Sequence, residues 1–119
     1  MLYIEDNVIY ITRGDDGEID ISLVDSNNEP YELLDGDKLT LTVSAAPGSA
    51  EDVVFAAVSS GSTIPIMHEH TANAEIGAYS ADIELLTANG ARKTIWPKLE
   101  GNARMRSTNF KNFVIMPEV

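Results

Sequence analysis

An all-β fold, built as an antiparallel sandwich, is what this 119-residue sequence predicts. The first observation is a set of three alternating apolar/polar runs, Ile9–Ile11, Ile19–Leu23 and Leu39–Val43. A period of two sends successive side chains to opposite faces, so each run buries one face and wets the other. The second is that a turn signal cuts off each run: Arg13-Gly14-Asp15-Asp16-Gly17, Ser26-Asn27-Asn28-Glu29-Pro30, and Asp35-Gly36-Asp37 ahead of Leu39. The third is that no helical pattern separates them, and strands at this spacing read as a sandwich or barrel.

Taken in order, the first strand is expected near Leu2–Thr12, with a turn at Arg13–Gly17 and a second strand at Glu18–Val24. Tyr31–Leu34 reads as a short extended piece bracketed by Pro30 and Asp35-Gly36. Lys38–Ala45 is the next strand, with Leu39, Leu41, Val43 and Ala45 on one face, and Ala46-Pro47-Gly48-Ser49 breaks it. Asp52–Val58 is apolar enough for a strand, although periodicity alone also allows a helical turn at Val53–Ala57. Ile64–His68 is a strand weakened by Pro65, hence an edge strand or the first residues of one. Tyr79–Thr87 alternates cleanly, with Tyr79, Ala81, Ile83 and Leu85 on one face. Asn89-Gly90 then supplies the φ > 0 residues of a tight hairpin, and Arg92–Trp96 returns. Residues 97–109 form a long polar connection, either a functional loop or an extra short hairpin, and Asn112–Met116 is the last strand.

Composition bounds the function. At this length residues 1–119 make one domain, able to bury about two thirds of its unfolded surface. There is no cysteine, which removes disulfides and thiolate metal sites. No apolar run approaches the roughly 18 residues needed to cross a bilayer. The N-terminus lacks a basic segment followed by an apolar one, so the chain reads as soluble and made in the cytosol. Net charge is −11 and unevenly spread. Residues 1–91 hold 17 acids against Arg13 and Lys38, whereas residues 92–119 hold six bases (Arg92, Lys93, Lys98, Arg104, Arg106, Lys111) against Glu100 and Glu118. Either the basic strands pair beside acidic ones within the domain, or a basic edge meets the acidic body of a second copy. An acidic body repels phosphate, and the basic segment carries no interleaved aromatic platform, which argues against nucleic acid.

The short motifs read mainly as structure. Arg13-Gly14-Asp15 matches an adhesion tripeptide but sits where a strand must turn, with Asp15 and Asp16 able to bond their own backbone. His68-Glu69-His70, with Glu75 nearby, places two imidazoles on an extended segment without a well-spaced third ligand, so a solvated strand end is the better reading. Asp15-Asp16-Gly17-Glu18 and Asp35-Gly36-Asp37 lack the oxygen spacing of a calcium loop and read as solvated acidic turns. No serine sits in a nucleophile elbow, and no enzyme, metal or cofactor is expected. Trp96-Pro97 ends a strand with a large aromatic that covers the open end of the sandwich or anchors a partner. Ile76-Gly77-Ala78-Tyr79 resembles the tyrosine corner of immunoglobulin-like sandwiches, where a tyrosine opening a late strand bonds back to upstream backbone. The resulting expectation is an immunoglobulin-like antiparallel β-sandwich of about 7–9 strands.

The order of these pieces carries a resemblance. Ile9-Tyr10-Ile11-Thr12-Arg13-Gly14-Asp15 is followed by Glu29-Pro30-Tyr31-Glu32 and Asp35-Gly36-Asp37-Lys38-Leu39. Thr71 and Ile76-Gly77-Ala78-Tyr79-Ser80-Ala81-Asp82-Ile83-Glu84-Leu85 come next, then Asn89-Gly90 and Lys93-Thr94-Ile95. The pattern resembles small proteins encoded in tail and baseplate modules of phages and prophages of Gram-positive bacteria. It is similar to the N-terminal domain of baseplate upper proteins. Ala81 departs from the aromatic usual before Asp82-Ile83, and the 97–109 stretch is longer than the pattern expects. The resemblance implies a non-enzymatic structural or adaptor protein, made in the bacterial host cytoplasm and assembled into the virion. Its partners would be other tail or baseplate proteins or a second copy, without nucleic acid, membrane or cofactor. Residues proposed from charge and aromaticity to meet a partner are Trp96, Lys98, Arg104, Arg106 and Lys111. A carbohydrate- or cell-surface-binding module is the alternative, weakened by the small number of aromatics.

Overall fold

The computed structural model describes residues 1–24, 27, 29–45, 53–96 and 111–118. Among them lie eleven strands: β1 (Leu2–Glu5), β2 (Val8–Thr12), β3 (Gly17–Asp20), β4 (Leu23–Val24), β5 (Pro30–Tyr31), β6 (Lys38–Ser44), β7 (Val53–Ser59), β8 (Thr63–Ile66), β9 (Gly77–Leu86), β10 (Arg92–Trp96) and β11 (Phe113–Met116). One helical turn, α1 (His68–Thr71), joins β8 to β9. The Ala46–Ser49 break and the 97–109 connection lie outside the described residues.

The chain is mostly β, with a seven-strand sheet in the order β1-β2-β11-β9-β6-β7 and β10 beside β9. β3 and β8 form a separate antiparallel pair, as do β4 and β5. Ile9 and Ile11 from β2, Leu39, Leu41 and Val43 from β6, and Phe113 and Ile115 from β11 point to one face. Ile19 of β3 and Ile64 and Ile66 of β8 meet them from the other side, in one contiguous core. The two-residue period therefore does what it predicts: alternate residues close the core and their neighbours stay wet. Every buried side-chain nitrogen and oxygen among the described residues has a hydrogen-bond partner.

Several boundaries differ from expectation, each for a local reason. The run Leu2–Thr12 folds back on itself, because Asp6 and Asn7 both take left-handed backbone (φ 53° and 64°) and close a two-residue hairpin between Glu5 and Val8. Such a turn matches the twist of its strands, and Asp and Asn tolerate this region better than other side chains. Glu18–Val24 divides at Ile21, whose amide bonds Ser62 before the chain leaves β8 for β5. These divisions raise the strand count above the expected 7–9. Val53–Ala57 is strand, not helical turn.

Ala45 is exposed, Val43 and Ser44 are both buried, and the β6–β7 register shifts after Val43 with Val54 the extra residue. The turn after β9 spans Ala88-Asn89-Gly90, with only Gly90 at positive φ (93°), so the hairpin is a three-residue loop. The sheet is also not wholly antiparallel. β11 runs parallel to β2, pairing Phe113 with Ile9 and Ile115 with Ile11, an arrangement open to strands separated by nearly the whole chain.

Candidate functional site

β9 is the organising strand. Along one edge it pairs with β6 from Ser80 to Leu86. Along the other it pairs with β11 at Gly77–Tyr79 and with β10 at Ile83–Leu86. Asn112 fills the gap between those two partners. Its Oδ1 accepts the Ala81 amide at 2.6 Å and its Nδ2 donates to the Ala81 carbonyl at 2.8 Å. Its own backbone amide donates to Tyr79, and its carbonyl accepts from Ile9. The Tyr79 hydroxyl reaches back to the Glu75 carbonyl at 2.5 Å, the bond expected of that tyrosine. Burial and the Glu75 charge push the Tyr79 phenol above its ordinary value, so the hydroxyl keeps its proton for this bond.

The motif residues are held by structural contacts. Arg13 bonds Glu118 at 2.7 Å and the Ala74 carbonyl at 3.4 Å. The Gly14 amide donates to the fully buried Thr71 hydroxyl at 2.8 Å, and Asp15 pairs with the Met1 ammonium. Asp16 accepts the His68 amide at 2.6 Å. The Arg13-Gly14-Asp15 tripeptide is a turn fastened on three sides.

His68 and His70 do not sit on an extended strand end, because the chain enters α1 at His68. The His68 ring bonds the Gly14 carbonyl at 2.6 Å, while His70 stacks on Phe55 (ring centroids 5.0 Å apart) and its Nδ1 accepts the Met67 amide. Among the described residues no three metal-ligating side chains converge.

Asp37 is not a solvated acid. It is 2% exposed, and its carboxylate accepts the Leu34 amide (2.9 Å), the Tyr31 hydroxyl (2.8 Å) and the Ala88 amide (3.1 Å). The Leu34 amide, then the Tyr31 hydroxyl, hold its carboxyl below the ordinary value of 3.8, against the opposing effect of burial. The Tyr31 phenol is pushed up in return, first by that same bond. Asp37 thus ties the 31–37 segment to the β9–β10 loop.

Of the residues proposed to meet a partner, Trp96 and Lys111 lie in the described structure, and Lys98, Arg104 and Arg106 lie outside it. Trp96 is half-buried and packs against the core beyond a register shift in β10. Lys111 is exposed and donates to the Ala45 carbonyl at 2.8 Å. Arg92 approaches Glu84 across the β9–β10 pair at 3.6 Å, so part of the basic segment is matched within the domain.

Among the described residues, the surface that remains open is at the sheet ends. β1 and β7 are its two terminal strands. Ile4 on β1, and Val53 and Val58 on β7, are exposed at 53%, 40% and 56%. β1 is short and ends in Glu5-Asp6, whereas residues 53–67 contain no formal charge at all. Edge strands usually carry lysine, proline or inward charge to prevent association, and β7 has none of these. The charge-free stretch was visible in the sequence, but its place at a sheet end was not. A groove of about 490 Å³ lies elsewhere, lined by Ser22, Tyr31, Glu32, Ser60 and Ser62 among others. No family model, curated protein or solved structure matches this chain.

Proposed function

We propose that the protein is a non-enzymatic structural or adaptor component of a phage or prophage tail, in the baseplate region, working through protein–protein contacts. The observation that carries the contact-making role is the uncharged terminal strand β7 with Val53 and Val58 exposed. Its partners would be other tail or baseplate proteins or a second copy, and its setting the assembled virion after synthesis in the host cytoplasm. The tail assignment rests on the sequence resemblance, from Arg13-Gly14-Asp15 to the Tyr79 strand. The finer fold reading, an immunoglobulin-like sandwich, is part of the same proposal. It is supported by the Tyr79–Glu75 bond, by the parallel pairing of β2 with β11, and by the β3–β8 pair facing the larger sheet. Mass spectrometry of purified particles from the encoding strain tests the proposal. The chain is expected among virion proteins, and its absence from particles overturns the reading.

The serine- and tyrosine-lined groove favours a second reading, a carbohydrate- or cell-surface-binding module, since hydroxyls and a carboxylate beside apolar walls suit a sugar. Calorimetric titration with host cell-wall polysaccharide discriminates: saturable heat abolished by Glu32→Ala supports it, and none removes it.

A further inference from the structure

The geometry points to β7 as a self-pairing edge: two copies of this chain join their seven-strand sheets by antiparallel pairing of Phe55–Ser59 about a two-fold axis at Ala57. This inference rests on the contact-making role proposed above and names the partner as a second copy.

The backbone supplies the bonding groups. Asn112 takes both the amide and the carbonyl of Ala81, so Ala81 and its β6 partner Val43 are not bonded to each other. Bonded and non-bonded pairs alternate along antiparallel strands. Val43, Leu41 and Leu39 therefore direct their bonds to Phe55, Ala57 and Ser59. The amides and carbonyls of Ala56 and Val58 are left facing the free edge. In the two-fold register, Ala56 of one copy lies opposite Val58 of the other, twice, and each such pair exchanges two backbone bonds. The register keeps parity, so Phe55 and Ala57 stay on the core face and Ala56 and Val58 on the outer face. The extra residue Val54 sets the limit of the pairing at its N-terminal side.

Charge selects both the edge and the direction. At a net −11, two copies approach only where neither presents acid to the other. Glu51-Asp52 precede β7 directly, and parallel pairing would set these acids against themselves. Antiparallel pairing brings that end of each strand to the uncharged Ser59–Ser62 end of the other. On the outer face the next strand, β6, offers Thr40 and Thr42, and acids first appear on β9 at Asp82 and Glu84. Five strand spacings, about 24 Å, separate the two β9 strands of a joined sheet, about three Debye lengths at physiological salt. The other edges are guarded: β1 ends at Glu5, next to Asp6, β3 carries Glu18 and Asp20, β5 and β8 carry Pro30 and Pro65, β10 carries Arg92 and Lys93, and β4 is only two residues long.

Five residues per copy bury less than a standard interface, so the pairing is a weak, concentration-dependent one. Sedimentation equilibrium of the full chain tests it. The wild-type average mass should rise from one copy toward two between about 1 μM and 1 mM. Ala56→Lys/Val58→Lys, at two exposed positions, sets four like charges together and should hold the mass at one copy. Ala56→Glu/Val58→Lys puts opposite charges across the axis and should restore the dimer, more strongly at low salt. Circular dichroism shows whether each variant is folded. A wild type at one copy throughout overturns the inference, as does a double-lysine variant that still dimerises. Failure of the charge-swapped variant to recover overturns this register. A monomeric wild type that is nonetheless found in virions overturns the pairing alone, whereas a dimer absent from virions overturns the tail assignment alone.

Discussion

The side-chain amide of Asn112 stands where a neighbouring strand would stand at Ala81, accepting its N–H at 2.6 Å and donating to its carbonyl at 2.8 Å. Backbone groups in this position must be paired, since an unpaired buried one costs nearly as much as a lost hydrogen bond. The residue is fully buried, so bulk solvent does not reach these groups in the folded protein. Asn112→Ala leaves two backbone groups unpaired and is expected to cost about 2–5 kcal/mol, read from the midpoint and slope of urea unfolding. Asn112→Asp keeps an acceptor for the Ala81 amide but turns an anion toward its carbonyl, and should also destabilise. A variant within about 0.5 kcal/mol of wild type, the ordinary range for surface changes, contradicts this role.

Asp37 makes stability depend on acidity in a defined direction. Its folded carboxyl titrates below the ordinary 3.8, so the native state favours the charged form. That contribution is fully present above the unfolded value and is lost as pH falls through the lower folded value. Unfolding midpoints measured from pH 7 downward should therefore drop more steeply below about pH 4 in wild type than in Asp37→Asn. Parallel curves for the two proteins would remove Asp37 from the acid response.

The β1–β2 turn holds two side-chain-bearing residues in left-handed backbone. Asn7→Gly removes the steric cost at φ 64° and should raise stability by about 0.5 kcal/mol, after the added freedom of the unfolded chain is counted. Asn7→Val, branched at Cβ, should lower it by about 1–2 kcal/mol. Thermal unfolding of the pair should shift in opposite directions.

Thr71 fixes the Arg13–Asp16 turn against α1 by accepting the Gly14 amide. Thr71→Val preserves the shape but removes the acceptor, at a cost of about 1–3 kcal/mol. Amide hydrogen exchange at Gly14 should accelerate, with His68 following, while β6 and β9 stay protected. Unchanged exchange at Gly14 would show that the turn holds without Thr71.

What was legible in the chain follows the physics of each signal. Alternation in Leu39–Val43 and Tyr79–Leu85 reports burial directly, because one face must leave water, so those strands and their core faces were readable. Arg13–Gly17 and Asn89-Gly90 were readable as turns, because left-handed backbone favours few residues. Asp6-Asn7 is hard to read as a turn, since neither is glycine or proline and apolar residues lie close on both sides. The helical turn at His68 was hidden by its shortness, four residues being too few for a period to show. Asn112, Asp37 and Thr71 look like ordinary polar residues in sequence. Their roles depend on partners 31, 51 and 57 positions away. The same limit applies to β7, where the absence of charge was plain and the open edge beside it was a property of topology alone.

The placement of β11 also governs when the molecule can form. β2 touches the rest of the large sheet through β11, and Arg13 and Ile9 bond backbone carbonyls at Met116 and Asn112. During translation the β1–β2 hairpin has no strand partner in the large sheet until residues 112–116 have emerged. Closure of the sheet therefore waits on the synthesis of residues 112–116, and is set by the ribosome's progress and not by the hairpin's own speed.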